Sequence, residues 1–180
     1  MELIVLAIPD VKVIKPFVHE DERGYFYESY HKDGFQKMGI DDDFVQDNQS
    51  LSGKNILRGL HFQNPPWEQG KLVRVIQGAV LDVAVDIRKN SPWYGQWVSQ
   101  RLDAQNKLMM WIPAGFAHGF LTLEESTVFS YKCTGYFNKA SEGSIRWNDP
   151  DLNIDWGTDQ PILSEKDAVA PKFRSLISLF

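Results

Sequence analysis

The stretch Ala79-Val80-Leu81-Asp82-Val83-Ala84-Val85-Asp86-Ile87-Arg88, AVLDVAVDIR, decides the fold class. Successive side chains in a strand point to opposite faces. Ala79, Leu81, Val83, Val85 and Ile87 therefore share one face, and Val80, Asp82, Ala84 and Asp86 the other. The first is a packed core face. The second carries two carboxylates and is expected to meet water or the inside of a polar cavity. Lys71 to Gln77 reads as a neighbouring strand across Gly78. Outward from this pair lie further short runs rich in β-branched and aromatic residues, punctuated by Gly, Pro, Asn and Asp. They fall at 11–18, 24–30, 96–102, 107–112, 116–123 and 127–134. The N-terminal MELIVLAIPDVKV reads as an edge strand, without the basic leader or cleavage site of a signal peptide. One short helix is expected from His31 to Gly39, ending at glycine, and a closing helix over Phe173 to Phe180. Many short strands with few helices predict a mainly β fold, an antiparallel sandwich or small barrel.

The chain has 180 residues, 43% of them hydrophobic, which suits one domain with one sizeable core. That domain spans 1–180, and the segment from about 138 onward, rich in Pro, Asp, Asn and Trp, is expected to wrap over the barrel. The formal net charge is −5 and no long basic block occurs, which argues against nucleic acid and anionic membrane as partners. No apolar run is long enough to span a bilayer. The single cysteine, Cys133, excludes an intramolecular disulfide and suits a reducing cytoplasm.

Two motifs carry chemistry. LRGLHFQ, Leu57 to Gln63, sets Arg58 and His61 in an apolar run, and PAGFAHGF, Pro113 to Phe120, does the same with His118. Histidine is the side chain best suited to proton transfer near neutral pH. Lys71 opens a strand downstream, where an ammonium stabilises a developing oxyanion or enolate. Tyr131, in FSYKCTGYF, is a candidate proton donor. Arg58 and Arg23 are candidate phosphate grips, since a guanidinium offers paired donors. Gln46, Asp47 and Asn48, in QDNQS, either cap turns or read the edges of a base or ribose. Taken singly, each of these is more ordinarily a satisfied core, rim or turn residue. Their co-occurrence on one barrel is what raises the functional reading.

PAGFAHGF resembles the second signature of cupin barrels, P-x-G-x-x-H. The first signature of metal cupins is an H-x-H pair followed by Glu. Here HFQNPPWEQG gives His61, Gln63 and Glu68. A neutral amide at Gln63 and a Glu68 placed beyond Pro65-Pro66 weigh against a His61, Glu68, His118 metal site. Nearly end to end, the pieces DERGYFYES, FVQDNQS, LRGLHFQNPP, GKLVRVIQGAVLDVAVDIRKNSP, YGQW, PAGFAHGF, YKCTGYF, EGSIRWNDPDLNIDW and LSEKDA resemble the dTDP-4-dehydrorhamnose 3,5-epimerases in order and spacing. These are cupin-type sugar-nucleotide enzymes without cofactor or metal.

The resemblance implies a jelly-roll barrel and a role for each residue. His61 matches the general base that removes the protons at C3 and C5, flanking the 4-keto group. Lys71 matches the lysine beside the keto oxygen, Tyr131 the acid acting from the opposite ring face, and Asp167 the carboxylate that orients the histidine. Arg58, and Arg23 from a partner subunit, match the diphosphate grip. Phe26, Glu28, Gln46, Asp47 and Asn48 match nucleoside-side positions, and His118, Glu142 and Lys166 further substrate-binding positions. The family forms homodimers that exchange N-terminal strands. This chain departs from the family where it carries Trp93, Tyr136-Phe137 and Trp156-Gly157. The second lies near the site and bears on whether both sugar centres or one is inverted. A single-centre epimerase, a 3,4-ketoisomerase and a sugar-nucleotide-binding cupin without catalysis are the alternative readings.

Overall fold

A computed structural model describes residues Met1–Phe180. Its strands are β1 (Glu2–Val5), β2 (Lys12–Lys15), β3 (His19–Asp21), β4 (Gly24–Phe26), β5 (Gln46–Ser52), β6 (Leu57–Gln63), β7 (Lys71–Gln77), β8 (Ala79–Asp86), β9 (Trp97–Asp103), β10 (Met109–Ile112), β11 (Phe116–Thr122), β12 (Thr127–Cys133) and β13 (Glu142–Ser144). The helices are α1 (Lys32–Lys37) and α2 (Glu165–Ala168). One antiparallel sheet runs β1-β2-β10-β7-β12-β5, a second β13-β6-β11-β8-β9, and β3-β4 forms a separate hairpin. The mainly β architecture agrees with the alternation of the sequence.

The carboxylate-bearing face of β8 points inward. Val80 and Ala84 join Val73, Val75, Met110 and Phe129 of the opposite sheet in the core between the two sheets. Asp82 and Asp86 on that face are fully buried. The apolar face points the other way, and Val83, Val85 and Ile87 meet Ile145, Leu152 and Trp156 of the C-terminal wrap. Both faces of the strand are therefore buried, which a wrap over the second sheet requires. Two indole N–H groups fasten that wrap, Trp97 donating to the Leu152 carbonyl and Trp156 to the Trp147 carbonyl, each at 2.9 Å.

Three expectations are corrected. The segment 24–30 is strand only over Gly24–Phe26. QDNQS lies in β5, the edge strand beyond β12, despite its polar composition. The closing helix is a single 3-10 turn, Phe173–Ser175, and the chain then extends. Its polar groups are bonded elsewhere: the Phe180 carbonyl accepts from Lys89 N–H and the Ser178 hydroxyl donates to the Ile87 carbonyl. Leu176 and Phe180 pack on the outer core, so tertiary packing overrides helix formation here. Helix α1 falls within the expected range, with the His31 side chain accepting from Gly34 N–H and Gly39 following at φ 72°.

One irregularity sets the site. Across the β6–β11 pair, Arg58 opposes Phe120 and His61 opposes His118, so three steps on β6 match two on β11. The extra residue is a β-bulge, which reverses the alternation. Leu57, Leu60 and Phe62 turn outward to the wrap. Arg58 and His61, three apart, both turn into the interior cavity. Gly59 permits this: its φ is +131°, and a Cβ there would lie 2.5 Å from the Gly119 Cα.

Candidate active site

Between the sheets lies a cavity of about 570 Å³, reached by Arg58, His61 and His118 from the second sheet and by Asn48, Lys71 and Tyr131 from the first. A smaller lobe of about 280 Å³ adjoins it, lined by Gln46, Gln63, Gln69, Phe137 and Glu142. Asn48, His61, Lys71 and Tyr131 line both lobes.

His61 Nε2 lies 2.6 Å from Asp167 Oδ1. The carboxylate arrives on α2, whose N-cap Ser164 accepts from Asp167 N–H at 3.2 Å and donates its hydroxyl to Asp167 Oδ2 at 2.9 Å. Burial pushes the Asp167 carboxyl up, but the bonds and charge of His61, the Ser164 hydroxyl and the Gly59 N–H outweigh it and hold the group below its ordinary value. A carboxylate so held stays charged and accepts the Nε2–H of a neutral imidazole, leaving the lone pair on Nδ1.

His118 makes a second pair, its Nε2 lying 3.0 and 3.1 Å from the oxygens of Asp82. Both are buried and both belong to the inner sheet face. Burial lowers the imidazole pKa and raises the carboxyl pKa, the attraction between them offsetting only part of each shift.

On the facing sheet the register aligns Asn48 with Tyr131 and Val73, and Gln46 with Cys133 and Lys71. The Tyr131 phenol is pushed above its ordinary value by burial, so it keeps its proton at neutral pH. Burial lowers the Lys71 ammonium, against the attraction of Cys133, Asp82 and Glu142. The arrangement sets an oriented histidine on one wall and a protonated phenol on the other, with a lysine beside the phenol.

The model of the family described as dTDP-4-dehydrorhamnose 3,5-epimerase matches residues 5–175. The chain belongs to the dTDP-4-dehydrorhamnose 3,5-epimerase family. It is 56% identical over 173 residues to the dTDP-4-dehydrorhamnose 3,5-epimerase of Salmonella typhimurium, covering 95% of this chain and 94% of that one. It superimposes with a TM-score of 0.93 on the dTDP-6-deoxy-D-glucose-3,5-epimerase of Legionella pneumophila, solved in complex with dTDP-4-keto-L-rhamnose, at 50% identity and coverage of 98% and 94%. A 3'-monoepimerase of Streptomyces bikiniensis, solved with dTDP-quinovose, gives a TM-score of 0.88 at 33% identity, with coverage of 93% and 86%.

The other residues matched to the epimerase family fall into three groups. Asn48, Arg58, His118 and Lys166 line the larger lobe, and Gln46, Asn48 and Glu142 the smaller. Lys166 and Glu142 are joined by an ion pair. Arg58 donates to Ser52 Oγ at 3.1 and 3.3 Å. Asp47 stands apart: alternation along β5 turns it to the outer face, where Lys132 lies 3.0 Å away. Arg23, Phe26 and Glu28 lie on or just beyond the β3–β4 hairpin and line neither lobe. Arg23 is held by Asp21 at 2.5 Å and its side chain is 85% exposed. Glu68 is exposed, and each histidine is engaged by a separate carboxylate, so His61, Glu68 and His118 do not converge.

Ser164 and Gln69 were not singled out from the sequence; Asp82 was noted only as a carboxylate of the polar strand face and Gln63 only as an amide in the place of a metal ligand. For Ser164 the signal was present, because Ser-x-x-Asp is a helix-capping pattern. Asp82 stood in the opening strand, but its histidine partner is 36 residues away.

Proposed function

We propose that this protein is an epimerase that inverts C3 and C5 of dTDP-4-dehydro-6-deoxy-D-glucose, giving dTDP-4-dehydro-L-rhamnose. The observation that carries this reading is the placement of the His61–Asp167 pair and of Tyr131 on opposite sheets of one cavity. The 4-keto group makes the flanking C–H bonds acidic, because the carbanion formed is an enolate. His61 takes the proton on Nδ1 while Asp167 holds Nε2–H and steadies the imidazolium. Lys71 stabilises the charge on the enolate oxygen. Tyr131 returns a proton to the other face of the ring, which inverts the centre. The ketone itself is the electron sink, so the chemistry needs no cofactor and no metal.

Arg58 is proposed to grip the diphosphate, with His118, Glu142 and Lys166 on the sugar and Gln46 and Asn48 towards the nucleoside. Arg23, Phe26 and Glu28 are proposed to complete the site of a partner subunit in a homodimer that exchanges N-terminal strands. Supporting this, Phe17, Tyr25 and Phe26, just before and on the hairpin, are 67%, 57% and 68% exposed, an apolar patch of the kind that marks a protein contact. A cytoplasmic location is proposed from the single buried, unpaired Cys133; no helix is long and apolar enough to cross a membrane.

The test is incubation with the 4-keto sugar nucleotide in deuterated water, followed by mass and NMR analysis of the product. Deuterium at both C3 and C5 is expected. Deuterium at one carbon would make the protein a single-centre epimerase, a carbonyl moved to C3 a ketoisomerase, and no incorporation a binding protein.

A further inference from the structure

The loop Gly135–Asn138, which leaves β12 and forms part of the small lobe, takes no part in a strand ladder. Backbone polar groups away from water need partners, and here three glutamine side chains supply them. Gln69 Nε2 donates to the Gly135 carbonyl at 2.6 Å, and Gln63 Nε2 to the Tyr136 carbonyl at 3.2 Å. The Phe137 N–H donates to Gln46 Oε1 at 3.0 Å, and the Asn138 N–H to Gln63 Oε1 at 2.7 Å. Four consecutive residues are thus each held once. The glutamines come from three places: Gln46 from β5 of one sheet, Gln63 from β6 of the other, and Gln69 from the connection between β6 and β7. The fit is close, since a Cβ on Gly135 would lie 2.9 Å from the Glu68 carbonyl oxygen.

We infer that Gln63 and Gln69, acting with Gln46, are positioning residues that fix this loop as a wall of the small lobe and so set how tightly the nucleotide end of the substrate is held. This rests on the epimerase reading given above. Two observations separate it from ordinary loop anchoring. All three glutamines line the lobe that the loop borders. The loop's aromatic side chains are not buried by the clamp: Tyr136 is 61% exposed and Phe137 58%. The occupant is assigned by chemistry. Beside His61, Lys71, Tyr131 and Glu142, which border the sugar end, the lobe presents the amides of Gln46, Asn48, Gln63 and Gln69, which both donate and accept, and the ring of Phe137, whereas Arg58 faces the larger lobe. An uncharged, planar, hydrogen-bonding ring suits the first and a phosphate the second.

The test uses Gln69→Glu and Gln63→Glu, which keep the shape of the side chain but remove the donor facing a carbonyl, with Gln69→Ala as a variant that places no charge in the lobe. Titration with dTDP by calorimetry should show its Kd raised about tenfold, the size of one lost hydrogen bond. KM should rise in parallel, with kcat reduced less than threefold. Amide hydrogen exchange should quicken at Phe137 and Asn138. An unchanged Kd with faster loop exchange, or a loss confined to kcat, would overturn the inference, as would loop exchange that does not change. Should Gln63→Glu fail to fold, the two Gln69 variants decide the matter alone. A wild-type chain that bound no dTDP would overturn the epimerase reading and the nucleotide half of this inference with it, while amide exchange would still report the clamp itself.

Discussion

Two histidine–carboxylate pairs stand side by side on neighbouring strands, and they are opposites. His61 and His118 face each other across β6 and β11. His118 takes its carboxylate from the adjacent strand, and Asp82 has no other hydrogen-bond donor. His61 takes its carboxylate from α2, 106 residues away in sequence, and Asp167 has the Ser164 hydroxyl as a second donor. The His61 side chain is 29% exposed, against 7% for His118. The two carboxyl groups accordingly move in opposite directions, Asp167 below its ordinary value and Asp82 above. The same two residue types give a carboxylate held below its ordinary value in one place and one pushed above it in the other. The number of donors and the access of water decide which.

The strongest way to break this contrast is His61→Ala. Solvent deuterium exchange into the substrate should fall by about 10³-fold, in the range of a lost general base, while dTDP binding measured by calorimetry stays near wild type. Asp167→Asn should follow with a loss of about 10²-fold in kcat, because an amide presents the wrong group to Nε2–H and leaves the ring free to turn. Retained kcat in that variant would remove Asp167 from the orienting role.

The third prediction contrasts the carboxylates through stability. The depressed Asp167 contributes stability above its ordinary value of 3.8, and that contribution is lost as pH falls through the lower folded value. Asp82 is raised, so its ionised form weighs against the fold, and this penalty grows as pH rises above 3.8 towards the folded value. Urea midpoints of Asp167→Asn and Asp82→Asn against wild type, taken from about pH 7 to about pH 3, should therefore run in opposite directions. The advantage of wild type over Asp167→Asn should shrink on acidification, and its advantage over Asp82→Asn should grow. Parallel slopes would show the two pairs to be electrostatically alike. The smallest effect is expected of Ser164→Ala, about fivefold in kcat, or about 1 kcal/mol. The acid limb of the pH–rate profile should move upward as Asp167 loses a donor, and Ser164→Thr should restore it. A fall in melting temperature with an unmoved acid limb would make Ser164 a helix cap and nothing more.

How legible all this was depended on distance along the chain. The alternation of AVLDVAVDIR identified a strand with two unlike faces, because that pattern is local. It assigned the apolar side to the core, yet the carboxylate side is the one between the sheets, since the apolar side is covered by a wrap more than fifty residues further on. QDNQS concealed a strand because Asn, Gln and Asp are poor strand formers, and at a sheet edge only alternate residues need to face inward. Arg58 and His61 were expected to act together, though a regular strand would place them on opposite faces. The glycine between them was the visible sign of the bulge that reunites them. Asp167 was legible only through family resemblance, and Asp47 was drawn in by its neighbours although alternation separates it from them. Nothing in the sequence tied Gln63 or Gln69 to the loop after β12, because their partners there lie 66 to 75 residues away.

Helix α2 has one more consequence, for the order in which the protein is made. The last strand of the barrel is β13, which ends at Ser144 and pairs that residue with His61. The Asp167 carboxylate that lies against His61 leaves the ribosome more than twenty residues later. A chain arrested or clipped before Ser164 would lack Ser164, Lys166 and Asp167 from the cavity lining and leave His61 without its carboxylate. Docking of α2 therefore completes the cavity wall and the histidine–carboxylate pair together.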